Sequence, residues 1–319
     1  MKRKFKAGKD TRITLDSAFE EFIEEKTALH RAPKTIANYK QSYEMFYKYS
    51  GFDSNTLLED IQINMIYKWS NHLTQNEVRP QSINHYLRDL RTFFNWCEDK
   101  GKAKETVEIK EVRNQEDMLK MYSDEEILAL LEKPRPGDSF NEWRTWAVVS
   151  LAFALGTRAS TMCNLVIGDV DFVNEEITLE KQKNKRIGIL PMSPVLSNTL
   201  KEYIKKWLDD EPESAWLFPN VGGGQLNVGA LNHAMVRYCA SRGVDNKGIH
   251  ALRHNCAKQM TKNGASSTTL MYYLQHSSIS MSAKYVKLFA GDLKENVEAL
   301  SPLDTMKKAG RRTSKFKKK

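Results

Sequence analysis

The chain has 319 residues, with 49 Lys and Arg against 40 Asp and Glu, a formal charge of +9. That length suits two domains of ordinary size. The basic balance favours a polyanionic partner, most often nucleic acid. No apolar run is long enough to span a membrane, and the basic N-terminus lacks the apolar stretch of a secretory signal.

Residues 1–11 read as a basic, flexible arm. From Ile13 a helical pattern begins, with Leu15, Phe19, Phe22 and Ile23 at helix spacing and Thr14 or Asp16 as cap. A second helix starts near Pro33 and carries Tyr39, Tyr43 and Phe46 on one face. A third covers Ile61 to about Leu73. A fourth starts near Pro80 with Ile83, Leu87, Leu90, Phe93 and Phe94 on its apolar face. Four amphipathic helices with short connections make a small all-α domain over residues 12–103. Residues 104–120 are polar and weakly periodic, as an interdomain linker is.

A second domain, residues 121–303, opens on Ser123-Asp-Glu-Glu126, a capping box ahead of Ile127 and Leu130. The stretch Trp146–Leu155 is apolar on nearly every face and reads as a buried helix. Ile177 and Leu179 alternate, as do Ile187 and Ile189, around a very basic turn, which predicts a hairpin. Helices resume at about Pro194–Trp207, Asn227–Ser241, His250–Asn263 and Thr268–His276. Residues 304–319 form a basic tail. The expected class is mainly α with a small β-sheet. Cys97, Cys163, Cys239 and Cys256 form no C-x-x-C pair and read as reduced core thiols in a reducing compartment, with no metal site implied. Gly222-Gly-Gly224 lacks the Gly-Lys-Ser/Thr of a phosphate loop and is a plain loop.

The chemistry sits in a few residues. Arg158 follows the apolar helix directly. It is either a helix-end charge reaching solvent or a buried group that must find an anion, and its fork suits a phosphate. Lys183 is one of three lysines in the hairpin turn, with Lys181 and Lys185. Such lysines are commonly solvated, yet a flexible ammonium there could protonate a leaving 5′-oxygen. His250-x-x-Arg253 puts both side chains on one face of a helix start, where the imidazole could accept a tyrosine proton or donate to a phosphate. His276 precedes Tyr285 by nine residues (285 − 276). Tyr285 lies beyond a polar turn, whereas Tyr272 and Tyr273 lie in an apolar helix and read as core. Two arginines, a lysine, histidines and a tyrosine are what phosphodiester chemistry needs when no metal is used. The arginines hold charge on phosphorus, the tyrosine attacks, and the others move protons.

In this order, from about residue 13 to residue 290, these features resemble the tyrosine recombinase (phage integrase) family. The specific part is His250-x-x-Arg253-His254, Gly264, Leu274-x-His276 and then Tyr285. Residues 13–100 look like the family's helical core-binding domain, including Lys34-Thr35-Ile36-x-x-Tyr39 and Arg91-x-Phe93-Phe94. The resemblance implies a core-binding clamp followed by an α+β integrase-type catalytic domain, without a separate N-terminal arm-binding domain. It implies a site-specific DNA recombinase that works through a 3′-phosphotyrosine and needs no metal, cofactor or ATP. By resemblance, Arg158 and Arg253 clamp the scissile phosphate and Lys183, eight positions before Pro191, is the general acid. His250 assists as acid or base, His276 supports the phosphate and Tyr285 attacks. Lys34, Lys40, Arg79, Arg88 and Arg91 are candidate DNA contacts. Double-stranded DNA is the expected partner, with a tetramer in the synapse and a cytoplasmic, DNA-associated location. An amphipathic segment with Phe289, Leu293, Val297 and Leu300 is expected to dock on a neighbouring protomer, or else to pack within its own chain. Departures are Thr161 where the family usually has Glu or Asp, Gln275 for a usual Gly, and Ala251 for a common Asp. Competing readings are a type IB topoisomerase-like or DNA-resolving enzyme, and a catalytically silent DNA-binding regulator, against which the intact Tyr285 argues. The target sequence and the process (integration, excision, transposition on a mobile element, inversion or dimer resolution) are left open.

Overall fold

A computed structural model describes residues 13–103, 108–113, 119–179, 188–276 and 278–289. The chain separates into two compact units, residues 1–117 and 118–319.

The first unit is helical: α1 (Leu15–Ala28), α2 (Pro33–Ser50), α3 (Ile63–Gln75) and α4 (Pro80–Asp99). Thr14 caps α1, its hydroxyl accepting from the Ser17 amide at 3.2 Å. Asp16, the other cap candidate, instead accepts the Tyr43 and Tyr47 hydroxyls at 2.6 and 2.9 Å. Prolines open α2 and α4, where a missing N–H costs nothing. The apolar stripe of α4 buries Ile83, Leu87, Leu90, Phe93 and Phe94 against Phe19, Phe22 and Tyr43. Each such side chain contributes about 1.5–3 kcal/mol of transfer free energy. A short 3-10 turn, Leu58–Asp60, was not foreseen, and it delays α3 by two residues relative to Ile61.

Residues 108–113 are tied back onto this unit. The buried Asn84 side chain pairs with both main-chain groups of Val112, accepting its N–H at 2.8 Å and donating to its carbonyl at 3.0 Å. Arg91 Nε donates to the Ile109 carbonyl at 2.7 Å. The same device recurs in the second unit. Asn255 Oδ1 accepts from the Tyr122 amide at 3.0 Å and its Nδ2 donates to the Tyr122 carbonyl at 2.7 Å.

The second unit begins with α5 (Asp124–Leu131), where both bonds of the Ser123–Glu126 capping box form. Next is α6 (Phe140–Leu155), started by the Ser139 cap well before Trp146 and buried on nearly every face. It ends at Gly156, φ +61°. Then come α7 (Ala159–Met162), β1 (Val170–Asp171), β2 (Glu176–Leu179) and β3 (Gly188–Pro191), an antiparallel sheet in the order β1-β2-β3. The foreseen hairpin is β2–β3, with Ile177 opposite Leu190. Leu190 is the buried side chain of β3, while Ile189 is 46 % exposed. The two-residue β1 carries too little sequence to show an alternation. The chain continues through α8 (Pro194–Trp207), α9 (Val228–Ser241), α10 (Ile249–Lys262), α11 (Ser267–Leu274) and α12 (Ile279–Phe289). Asn227 caps α9 rather than belonging to it, donated to by the Ala230 amide at 2.8 Å. All four cysteines are buried free thiols. Tyr272 is no core residue: it is 57 % exposed, and its hydroxyl donates to the Ile189 carbonyl at 2.6 Å.

Candidate active site

The site forms where α6 ends, α10 begins and α11 turns into α12. Gly156 is the pivot. A Cβ there would stand 2.3 Å from Leu274 Cδ2 and 3.4 Å from Cys256 Sγ, so the backbone lies closer to α11 than any side chain permits. That approach brings two carbonyls together. Arg253, buried at 3 % exposure, donates Nη1 to the Gly156 carbonyl and Nη2 to the Leu274 carbonyl, each at 2.5 Å. Arg158, the residue before α7, donates Nη2 to the Gln275 carbonyl at 3.2 Å. Gln275 itself sits at φ 51°, the left-handed turn that closes α11.

Among the described residues neither arginine meets a carboxylate. Burial lowers the pKa of Arg158, and burial with the Arg158 charge lowers that of Arg253 to about 10. Arg144 is a useful contrast. It too is buried, but it ends on the Pro219 carbonyl and the Asn141 side chain. A buried and a half-buried cation, both held by neutral carbonyls, make an anion site.

Three imidazoles surround this charge. His250 stands at the first turn of α10 and keeps an exposed edge, yet desolvation, then Arg253 and Arg158, lower its pKa. His254 and His276 are both pushed down to about 4, by desolvation first. Next come His250 and Arg253 for His254, and Arg253 and Arg158 for His276. The shifts of all three favour the neutral ring. His276 Nδ1 is 2.7 Å from the hydroxyl of the buried Ser282, so Nε2 is the nitrogen left for a ligand. Its ring lies parallel to that of Tyr285, at 5.9 Å and 4°.

Tyr285 lies within α12, part-buried, packed on Cys256, Leu270 and Leu274. Burial raises its pKa, partly offset by the Arg253 charge. Its hydroxyl is 2.8 Å from His254 Nδ1.

Of the residues expected at the site, Arg158, His250, Arg253, His276 and Tyr285 come together here. Lys183, with Lys181 and Lys185, lies outside the described residues, as does the segment beyond Phe289. Thr161 is buried in α7 at 3 % exposure. In the first unit Lys34, Lys40 and Arg79 lie exposed at and near the starts of α2 and α4. Arg88 and Arg91 approach Glu111, at 3.9 and 3.7 Å, and so help hold residues 108–113. His254 was missed as a site residue. It stands in the sequence beside Arg253 and four residues after His250, the spacing that stacks two rings on one helix face.

A helical domain joined to a mainly helical domain, whose paired arginines and imidazoles surround a phenol, defines the integrase-like class of DNA-processing proteins. Known proteins agree. Residues 120–291 match the phage integrase family, and residues 14–112 match the phage integrase SAM-like domain. A tyrosine recombinase XerA of Pyrococcus furiosus is 27 % identical over 230 residues, 71 % of this chain and 76 % of that protein. A tyrosine recombinase XerD of Staphylococcus saprophyticus is 24 % identical over 90 % of this chain and 99 % of its own length. A Tn1549 transposon integrase in complex with a circular intermediate DNA shares the fold at a TM-score of 0.70 and 16 % identity, covering 86 % of this chain and 95 % of that one. A lambda integrase tetramer bound to a Holliday junction does so at 0.69 and 17 %, covering 86 % of this chain and 78 % of that one. The chain belongs to the phage integrase family. It is a tyrosine recombinase, a DNA breaking-and-rejoining enzyme. No helix among the described residues is long and apolar enough to cross a membrane.

Proposed function

We propose that this chain is a cytoplasmic site-specific recombinase that exchanges strands of double-stranded DNA within a tetrameric synapse, through a 3′-phosphotyrosine on Tyr285. The observation that carries the reading is the arginine pair without a carboxylate, set beside a protonated phenol. A phosphodiester repels anionic nucleophiles and concentrates charge on its equatorial oxygens as it is attacked. Arg158 and Arg253 supply preorganised positive charge there. His250 and His276 Nε2 add hydrogen bonds that strengthen as that charge develops. Lys183 gives its proton to the departing 5′-oxygen. The phosphotyrosine conserves the phosphodiester bond, so a 5′-hydroxyl from another strand rejoins it without ATP. Lys34, Lys40 and Arg79 are the first unit's free-standing candidates for phosphate contacts, with Arg88 and Arg91 available where they leave Glu111.

The test uses a pool of nicked duplexes with a randomised centre, on which cleavage traps the covalent intermediate. An adduct formed by the wild type and absent from Tyr285→Phe is the expected result. No adduct with any member of the pool would sink the proposal, and strand relaxation without exchange between two sites would replace it with a topoisomerase-like activity.

A further inference from the structure

The group that touches the attacking oxygen is neither of the two histidines to which a role was given above. From the geometry we infer that His254 is a catalytic residue of the cleavage step, holding the Tyr285 hydroxyl and accepting its proton as the oxygen bonds to phosphorus. This rests on the recombinase reading and adds a residue to it.

Three observations support the assignment. His254 Nδ1 lies 2.8 Å from Tyr285 Oη, inside hydrogen-bond range, while the His276 ring lies flat beside the phenol with its own Nδ1 committed to Ser282. His254 follows Arg253 directly on α10, so the arginine that faces the phosphate and the imidazole that faces the phenol are fixed by one turn of a buried helix. The ring is also held from behind. His250, one helical turn earlier, meets it edge to face at 4.8 Å and 81°. Its neighbour Asn255 anchors this turn to the Tyr122 backbone.

With the ring neutral and the phenol protonated, Oη donates and Nδ1 accepts. As the new bond between Oη and phosphorus forms, the Oη proton passes to His254 Nδ1. The bond from phosphorus to O5′ breaks, and O5′ leaves as a hydroxyl with the proton from Lys183. In rejoining, His254 returns its proton to Oη as the phosphotyrosine is displaced, by microscopic reversibility. Burial, His250 and Arg253 all oppose a charge on the ring. A phosphate anion between the arginines offsets those charges and raises the ring's basicity where the reaction needs it.

The experiment compares wild type, His254→Ala and His254→Asn on a nicked suicide duplex. One version carries the normal 5′-bridging oxygen and a second carries sulfur there, a leaving group that needs no acid. Duplex binding and melting temperature serve as controls. The expected result is that His254→Ala binds within twofold of wild type but forms the adduct about 100-fold more slowly. The defect should persist undiminished with the sulfur substrate, because it lies on the nucleophile side. The Asn amide oxygen stands where Nδ1 stood and accepts the hydrogen bond without taking the proton, so His254→Asn should fall between the two. Wild-type cleavage by His254→Ala, or a defect erased by sulfur, would overturn the inference. If the Ala variant melts early, the Asn variant decides, and a wild-type rate for it removes the proton-accepting role. Failure of the wild type to form any adduct would count instead against the recombinase reading.

Discussion

Replacing Gly156 with alanine isolates what brings the site together. The residue's φ of +61° is a left-handed conformation, which costs a residue with a Cβ roughly 1–2 kcal/mol. The methyl would also stand 2.3 Å from Leu274 Cδ2. Leu274 is fully buried among Cys256, Ala257 and Leu270, so its methyl escapes only by displacing them. Overpacking of this kind adds roughly 1–3 kcal/mol, while the stiffer unfolded chain returns roughly 0.4–1 kcal/mol. The net loss is about 1–5 kcal/mol. Gly243 is the control: its φ is +65° but nothing lies within 4 Å of its Cβ direction, so Gly243→Ala carries only the backbone cost. Urea denaturation of the two variants gives the packing contribution as their difference. Gly156→Ala should also slow adduct formation at least tenfold, because the Gly156 carbonyl holds Arg253 and misplacement of about 1 Å is costly to positioned groups. Equal stability losses in the two variants, with cleavage intact in both, would refute the idea that the close approach of α6 to α11 organises the arginine pair.

Gln275→Gly should have the opposite sign. Gln275 occupies the left-handed position at φ 51° and leaves its buried Nε2 without a partner, so the change should stabilise the fold by about 1 kcal/mol in thermal unfolding. A loss of stability would show that the side chain makes a compensating contact. The depressed histidines predict acid sensitivity. His254 and His276 have pKa values near 4 when folded, against about 6.5 for a free imidazole, so the unfolded chain takes up protons first as pH falls. Stability should therefore be flat above about pH 7 and fall as pH drops from 6.5 towards 4, by on the order of 1–3 kcal/mol in all after discounting for the part-exposed rings. Denaturation between pH 7 and 5, above the usual carboxylate range, measures it, and stability that rises on acidification would contradict the burial argument. The two asparagine clamps should differ. Asn255→Ala leaves both main-chain groups of the buried Tyr122 unpaired and should cost about 2–4 kcal/mol, whereas Asn84→Ala frees the half-exposed Val112 to bond water and should cost about 1–2 kcal/mol. Equal losses would mean that burial of the clamped residue does not matter.

Much of this architecture is legible in the sequence because its helices are marked by local chemistry. The prolines at 33 and 80, the Ser123–Glu126 box and the apolar stripe of α4 each act within one or two turns, so their reading does not depend on tertiary contacts. Elements that depend on neighbours escaped. The β1 strand is two residues long and exists only through its pairing with β2, and Tyr272 is exposed while its hydroxyl reaches the Ile189 carbonyl of β3. The site shows the same division. Arg158, Arg253 and Tyr285 were found as residue types in a familiar order, but which nitrogen reaches the tyrosine oxygen is a matter of helix phase. Along α10, His250 and Arg253 share a face at three residues' spacing. His254 is one residue, or 100°, further round from Arg253, and four residues from His250. The sequence motif contains all three residues, but the order of residue types alone does not say which imidazole meets the phenol. The fold then packs α12 against α10, and it is His254 whose ring nitrogen meets the phenol.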